Sequence, residues 1–205
     1  MSIVVLDIGT SNITSVVNAF KYVGGIVTTT NDPEVVSQAD KVVLPGVGAF
    51  GAGYDALKMY KLEEVIRQQA EVEQKPILGI CLGMQMLATK SEEGGVNSGL
   101  NLIPGRVKPL VVDKPGYRVP NIGWCDVSAV KSSSLISIPD SILSFYHVHS
   151  YYFECENPEH VVATIEYSGN NIPVIVEKNN IFGVQFHPEK SQDNGLDLLN
   201  QFVKL

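Results

Sequence analysis

Short apolar runs alternate with helical spacings through the first half of the chain. Ile3–Leu6 is apolar and stops at Asp7; Val16, Val17, Phe20 and Val23 then fall on one helical face before Gly24-Gly25. Ile26–Thr29 and Lys41–Leu44 read as a second and third strand. A glycine-rich loop, Pro45-Gly46-Val47-Gly48-Ala49-Phe50-Gly51, comes next. Leu57, Leu62, Val65, Ile66 and Gln69 mark helical material ending near Glu73, Pro76–Ile80 is a fourth strand, and Leu82–Ala88 a helix that begins at once. Strands alternating with helices predict βαβ units, and so a parallel sheet with helices on both faces.

The second half follows another rhythm. Apolar runs at Arg106–Val112, Ile142–Val148, Val161–Ile165, Pro173–Glu177 and Ile181–Phe186 come without long helices between them. Glu177-Lys178-Asn179-Asn180 predicts a tight hairpin, because Asn tolerates positive φ. A closing helix, Leu196–Val203, turns Leu198, Leu199, Phe202 and Val203 to one side. No repeat, low-complexity tract or linker divides the chain. The expectation is one α/β domain over residues 1–205, with an antiparallel extension in the C-terminal half.

Composition narrows the function. At 205 residues, 44% hydrophobic and 18% charged, the chain can bury a core without metal or disulfide staples. Its net charge of −7 argues against nucleic acid or an anionic membrane surface as the main partner, since both need a basic face. No apolar run nears the roughly 18 residues that span a bilayer. The N-terminus lacks a basic region and reads as a strand, not a signal peptide. Cys81, Cys125 and Cys155 are odd in number and widely spaced, which predicts free thiols in a reducing cytoplasm. No metal-ligand cluster is visible. The Gly9–Asn12 turn and the Gly46/Gly48/Gly51/Gly53 run lack both the P-loop lysine and GxGxxG spacing, so no nucleotide cofactor is expected.

The chemistry concentrates in two places. In Gly79-Ile80-Cys81-Leu82-Gly83 an apolar strand runs into Gly-x-Cys-x-Gly and a helix, the thiol form of a nucleophile elbow. The turn is tight, so the residues two before and two after the cysteine must lack a Cβ. The helix N-terminus then favours the thiolate. Cys125 and Cys155 lack this setting; Glu154 and Glu156 beside Cys155 would dull its thiolate. Near the C-terminus, Phe186-His187-Pro188-Glu189 places a histidine at a strand end, with Pro188 biasing it towards extended geometry. On an extended segment Glu189 lies on the same side as His187, so its carboxylate can hold the imidazole tautomer. His147 and His149, among Tyr146, Tyr151 and Tyr152, read as structural or orienting.

Together these stretches resemble the triad-type (class I) glutamine amidotransferases. The elbow with Met84-Gln85, the His187-Pro188-Glu189 pair and Val43-Leu44-Pro45-Gly46-Val47-Gly48 occur in the family's order across the whole chain. Gly94-Gly95-Val96-Asn97, Asn121-Ile122-Gly123-Trp124, His149-Ser150-Tyr151-Tyr152 and His187-Pro188-Glu189-Lys190-Ser191 further resemble the branch of glutaminase subunits that serve histidine biosynthesis. One departure stands out: the branch's Tyr-Gly-x-Gly-Asn stretch reads Ile8-Gly9-Thr10-Ser11-Asn12, with Ser11 in place of a glycine.

The resemblance implies a flavodoxin-like, mostly parallel central sheet and a Cys81–His187–Glu189 triad that hydrolyses glutamine. It implies oxyanion donors from Leu82 and from the Gly46-Val47-Gly48 strand, whose flanking glycines let the Val47 peptide rotate as a gate. Gln85, His149, Ser150 and Tyr151 become the expected glutamine contacts. Asn12, Trp124, Tyr146 and Lys190 become the docking face for a (β/α)8 cyclase subunit in a heterodimer that receives the ammonia. Three alternatives stay open: a paralogous glutaminase feeding a synthase that amidates a nucleotide-linked sugar, a catalytically silent partner domain, and a generic thiol hydrolase of the same fold acting alone on another amide.

Overall fold

A computed structural model describes residues 1–9, 12–136 and 142–205; Thr10 and the Ser11 departure lie outside the described residues. The first half alternates as its pattern predicts. Strand β1 (Ser2–Leu6) leads to α1 (Ile13–Tyr22), β2 (Ile26–Thr30), the short α2 (Pro33–Ser37) and β3 (Lys41–Gly46). The sequence reading passed over α2, although Asp32 caps it by accepting from Glu34 N–H and Pro33 opens it. Next come α3 (Phe50–Met59), α4 (Leu62–Arg67) running on into a π-turn at Gln68–Val72, β4 (Ile77–Cys81) and α5 (Leu82–Met86).

The glycine-rich loop is shorter than expected. Pro45 and Gly46 belong to β3 and α3 starts at Phe50, which leaves Val47–Ala49 as the connection.

The second half is mostly strand. It holds β5 (Lys90–Ser91), β6 (Asn97–Ser98), β7 (Gly105–Pro109), β8 (Asn121–Ala129), β9 (Leu143–His149), β10 (Tyr151–Cys155), β11 (Val161–Tyr167), β12 (Asn170–Lys178) and β13 (Ile181–Val184), closed by α6 (Gln192–Lys204). Lys178 pairs with Ile181 across Asn179-Asn180, and Asn179 has φ 55°, so the predicted hairpin is present.

Among the described residues the main sheet has nine strands in the order β2-β1-β3-β4-β13-β12-β11-β8-β9. β2, β1, β3, β4 and β13 are parallel neighbours, in a flavodoxin-like arrangement. The other four strands are the antiparallel extension. That extension is larger than the pattern suggested, and a separate sheet, β10-β7-β5-β6, covers its flank.

Period-2 alternation explains the layering. Ile3 and Val5 of β1 face α1 and α6 with Phe20 and Phe202, while Val4 and Leu6 face α2 to α5 with Leu57 and Ile66. Lys41, buried in β3, donates from Nζ to the Phe202 and Val203 carbonyls and so satisfies the last turn of α6. The layering puts the carboxyl ends of β3, β4 and β13 side by side, where ligands of open α/β sheets bind.

Candidate active site

Cys81 ends β4 with φ 55° and ψ −110°, a conformation an L-residue holds only when its surroundings impose it. The glycines around it permit this. A Cβ on Gly83 would lie 1.7 Å from the Leu44 carbonyl oxygen, and one on Gly79 would lie 2.6 Å from the Gly83 oxygen. The helix behind the elbow is five residues long, not the seven expected. Its dipole is correspondingly small, and the free N–H groups just after Cys81 matter more than the helix.

His187 and Glu189 meet as predicted, with Nδ1 donating to Oε1 at 2.8 Å and both side chains almost fully buried. The reason differs from the sequence argument. Strand β13 stops at Val184, the chain bends at Gln185 and Phe186, and Pro188–Lys190 forms a 3₁₀ turn that curls Glu189 back under the ring. Ser191, which the sequence reading did not single out, braces this turn. Its hydroxyl donates to the His187 carbonyl and accepts the Tyr146 N–H, tying the turn to β9. Burial works against an imidazolium here, but the Cys81 sulfur and the Glu189 carboxylate outweigh it and push His187 up to about 9. Nε2 makes no aligned hydrogen bond among the described residues.

The sulfur opens into a cavity of about 260 Å³, the size class of a small ligand. Val47, Gly48, Leu82, Gln85, His149, Ser150 and Tyr151 line it as expected, and Glu93, Pro120 and Val148 join them. Gly46 pairs with Cys81 across β3 and β4, so Val47 and Gly48 follow directly beside Cys81. Gly48 has φ +94°, and neither Val47 N–H nor Gly48 N–H has a backbone partner among the described residues. They are available as oxyanion donors.

Two expected contacts are used internally. Gln85 Nε2 donates to the Tyr151 carbonyl at 3.2 Å and to Gln185 Oε1 at 3.0 Å. His149 Nδ1 faces the same carbonyl at 2.8 Å and must carry its proton there. Its Nε2 then accepts, from Asn121 Nδ2 at 3.4 Å and His147 Nδ1 at 3.2 Å. Burial drives both rings to neutrality, His149 down to about 4 and His147, also opposed by His149 and His187, down to about 3. His149 is therefore a brace for the Tyr151 backbone and no base.

Glu93 was missed. Its carboxylate accepts the Phe50 N–H at 2.8 Å and faces the cavity, beyond a turn held by Asn97 Nδ2 donating to the Glu93 carbonyl. The usable signal was a carboxylate just before Gly94-Gly95.

The other thiols are poor nucleophiles. Burial alone pushes Cys155 up to about 12, so the neighbouring carboxylates are not the cause; burial also raises Cys125, partly offset by Asn121. Trp124 and Tyr146 pair across β8 and β9 with ring centroids 6.2 Å apart, and Ile122 continues the exposed apolar face. Lys190 is exposed on the 3₁₀ turn. Asn12 is exposed at the start of α1 and makes no capping hydrogen bond; α1 packs against the turn that carries Lys190. Among the described residues no group of three or more His, Cys, Asp and Glu side chains could hold a metal, and no helix is long and apolar enough to cross a membrane.

Comparison with known proteins agrees with this geometry. Residues 4–205 match the family described as Glutamine amidotransferase class-I. The chain is 43% identical over 201 residues to "Imidazole glycerol phosphate synthase subunit HisH" of Chlorobium chlorochromatii (strain CaD3), covering 98% of each chain. A protein of the same name from Methanothermobacter thermautotrophicus (strain ATCC 29096 / DSM 1053 / JCM 10044 / NBRC 100330 / Delta H) is 42% identical, over 99% of this chain and 98% of that one. Among solved structures, "Structure of PurLQS from Thermotoga maritima" superposes with a TM-score of 0.76 at 16% identity, covering 99% of this chain and 97% of the other. A "Crystal structure of glutamine amidotransferase" gives 0.73 at 17% identity, covering 98% and 99%.

Proposed function

Because this chain belongs to the class-I glutamine amidotransferase family, we propose that Cys81, His187 and Glu189 are the residues with which it hydrolyses glutamine. It acts as the glutaminase subunit of an imidazole glycerol phosphate synthase, converting L-glutamine to glutamate and ammonia for histidine biosynthesis. Full-length similarity to subunits of that name supports the assignment. The observation that carries the residue roles is the convergence of the elbow, the buried His187–Glu189 pair and two backbone donors without a backbone partner among the described residues, at the ends of three adjacent strands.

The steps follow from these positions. The Cys81 thiolate attacks the side-chain amide carbon, and the oxyanion meets the N–H groups of Leu82 and of the Val47–Gly48 segment. The His187 imidazolium gives its Nε2 proton to the departing nitrogen, and ammonia leaves a γ-glutamyl thioester. His187 then takes a proton from water, hydroxide adds to the thioester, and glutamate and the free thiolate are released. Glu189 holds the ring by accepting from Nδ1 throughout. Gln85 Oε1, which accepts no hydrogen bond among the described residues, and the Ser150–Tyr151 backbone line the cavity and would fix the amino acid. Glu93 is the matching carboxylate for its ammonium.

The sign of the pH dependence follows from His187. The proton it donates is held until the pH passes about 9, raised by Cys81 and Glu189 against burial. Glutaminase activity should therefore hold through neutral pH and fall as the pH rises through that value. Glu189→Gln removes one supporting charge, so the fall should move to lower pH and the maximal rate should drop. Initial rates across the neutral and alkaline range check this; an unmoved limb with an unchanged maximum would remove Glu189 from the triad.

The partner we infer is a cyclase subunit of (β/α)8 fold, docked on Asn12, Trp124, Tyr146 and Lys190. Trp124 is exposed with Tyr146 half-buried beside it, and Trp and Tyr are common interface anchors. The Val47 peptide is the gate, able to turn its N–H into or away from the oxyanion position because Gly46 and Gly48 flank it. Glutamine turnover should be weak in the isolated chain, higher with the cyclase and higher again with an acceptor analogue bound. Full activity alone, unchanged by both, would sink the gate. Turnover raised only by a synthase that amidates a nucleotide-linked sugar would move the chain to that pathway.

A further inference from the structure

We propose that Gln185 is the hydrogen-bond donor that steadies the Cys81 sulfur in its anionic form, and that Gln85 holds it in that orientation. The inference rests on reading Cys81 as the nucleophile and adds a group to the site that neither the elbow nor the His187–Glu189 pair supplies.

Gln185 follows β13, where its backbone N–H donates to the Val174 carbonyl at 2.9 Å, and its side chain is fully buried. A buried amide needs partners at both ends. Oε1 accepts from Gln85 Nε2 at 3.0 Å, and Nε2 lies 3.8 Å from Cys81 Sγ. The shape of an amide does not distinguish its oxygen from its nitrogen, but the chain of bonds does. The Tyr151 carbonyl can only accept, so Gln85 must turn its NH₂ towards it. That same NH₂ faces Gln185, which must answer with its oxygen. The Gln185 NH₂ is then left for the sulfur.

A donor-only group against sulfur discriminates between its two states. The thiol already has an acceptor for its single proton in the Val148 carbonyl, 3.9 Å away. Once that proton is gone, the carbonyl offers nothing and the Gln185 N–H becomes the favourable neighbour. Hydrogen bonds to an ionised acceptor are roughly twice as strong as neutral ones. Gln185 and His187 both follow directly on the end of β13 at Val184, and Gln185 Nε2 and the Cys81 side of the site meet there. The strand end that delivers the base delivers this donor as well.

The test reads the sulfur directly. The full-length protein and its Gln185→Met variant, which keeps length and loses the donor, are treated with iodoacetamide over a range of pH, and Cys81 alkylation is followed by peptide mass spectrometry. At neutral pH the variant should react roughly tenfold more slowly, with the difference closing at alkaline pH. Gln85→Met, which lets the Gln185 amide turn, should slow the reaction by about threefold, as befits loss of an orienting bond and not of the donor. It decides the matter if Gln185→Met does not fold. An unchanged alkylation profile in the variants, with only the KM for glutamine raised, would mean that Gln185 merely props Gln85, and overturns the proposal. Alkylation needs no glutamine, so this inference can fail in a chain with full glutaminase activity and stand in one without any.

Discussion

Glutamine hydrolysis by the Cys81→Ala protein is expected to fall by at least about 10⁴-fold, to the background rate, because removing the nucleophile of a triad removes the covalent route altogether. No other thiol can take over. Cys125 lies in β8, half-buried against Asn121, and Cys155 is held protonated by burial. The substitution leaves the fold intact, since alanine fits the same elbow and Gly79 and Gly83 still clear it. Glutamate release is the measurement, made with the cyclase present so that the proposed gate does not limit turnover. Turnover within a hundredfold of the parent protein would refute Cys81 as the nucleophile. A short exposure of the parent protein to glutamine, quenched with acid, should add a γ-glutamyl group to the Cys81 peptide; a silent partner domain would show none.

Gly83→Ala should be nearly as damaging, through the fold. The added Cβ would sit 1.7 Å from the Leu44 carbonyl oxygen and 2.7 Å from its carbon. Both atoms belong to the middle of β3, which is bonded to β1 on one side and β4 on the other and cannot retreat. Either the elbow opens or β3 shifts, and with it the Gly46–Gly48 donors. A cost on the order of 4 kcal/mol or more is expected, a fall in melting temperature of roughly 8–16 °C for a chain of this size, together with loss of glutaminase activity. Gly51→Ala is the control. Its Cβ meets nothing closer than Asn97 Oδ1 at 3.5 Å and sits in helix α3, so it should be neutral or stabilise by about 0.5–1 kcal/mol. A Gly83→Ala protein that melts within about 2 °C of the parent would show that the elbow does not depend on this close approach.

What could be read from the chain in advance was what neighbouring residues settle between themselves. The elbow was legible because its steric demand acts over two residues either side of Cys81. The His187–Glu189 pair was legible because its members are two apart, although the turn that joins them differs from the extended segment inferred. The hairpin at Asn179-Asn180 and the apolar run of β1 are local in the same way. β8 was not, since its pattern is inverted: Asn121 points inward and is buried while Ile122 and Trp124 stand in solvent. Its inner face braces a polar site and its outer face is apolar, so a rule that puts apolar residues inside passes over it.

Gln185, Glu93, Ser191 and His149 show the other limit. Gln185 meets Cys81 across 104 positions, Glu93 meets Phe50 across 43 and Ser191 meets Tyr146 across 45. No local periodicity carries such a pairing; it exists only once β3, β4 and β13 lie side by side and β9 closes over them. By itself, then, the sequence determined the α/β class and singled out Cys81, His187 and Glu189 as the proposed nucleophile, base and orienting carboxylate, because those rest on short-range sterics and spacing. The tertiary structure alone decided which way each buried amide and imidazole turns and which donors surround the sulfur, because a buried polar group takes its orientation from partners that distant parts of the chain bring to it.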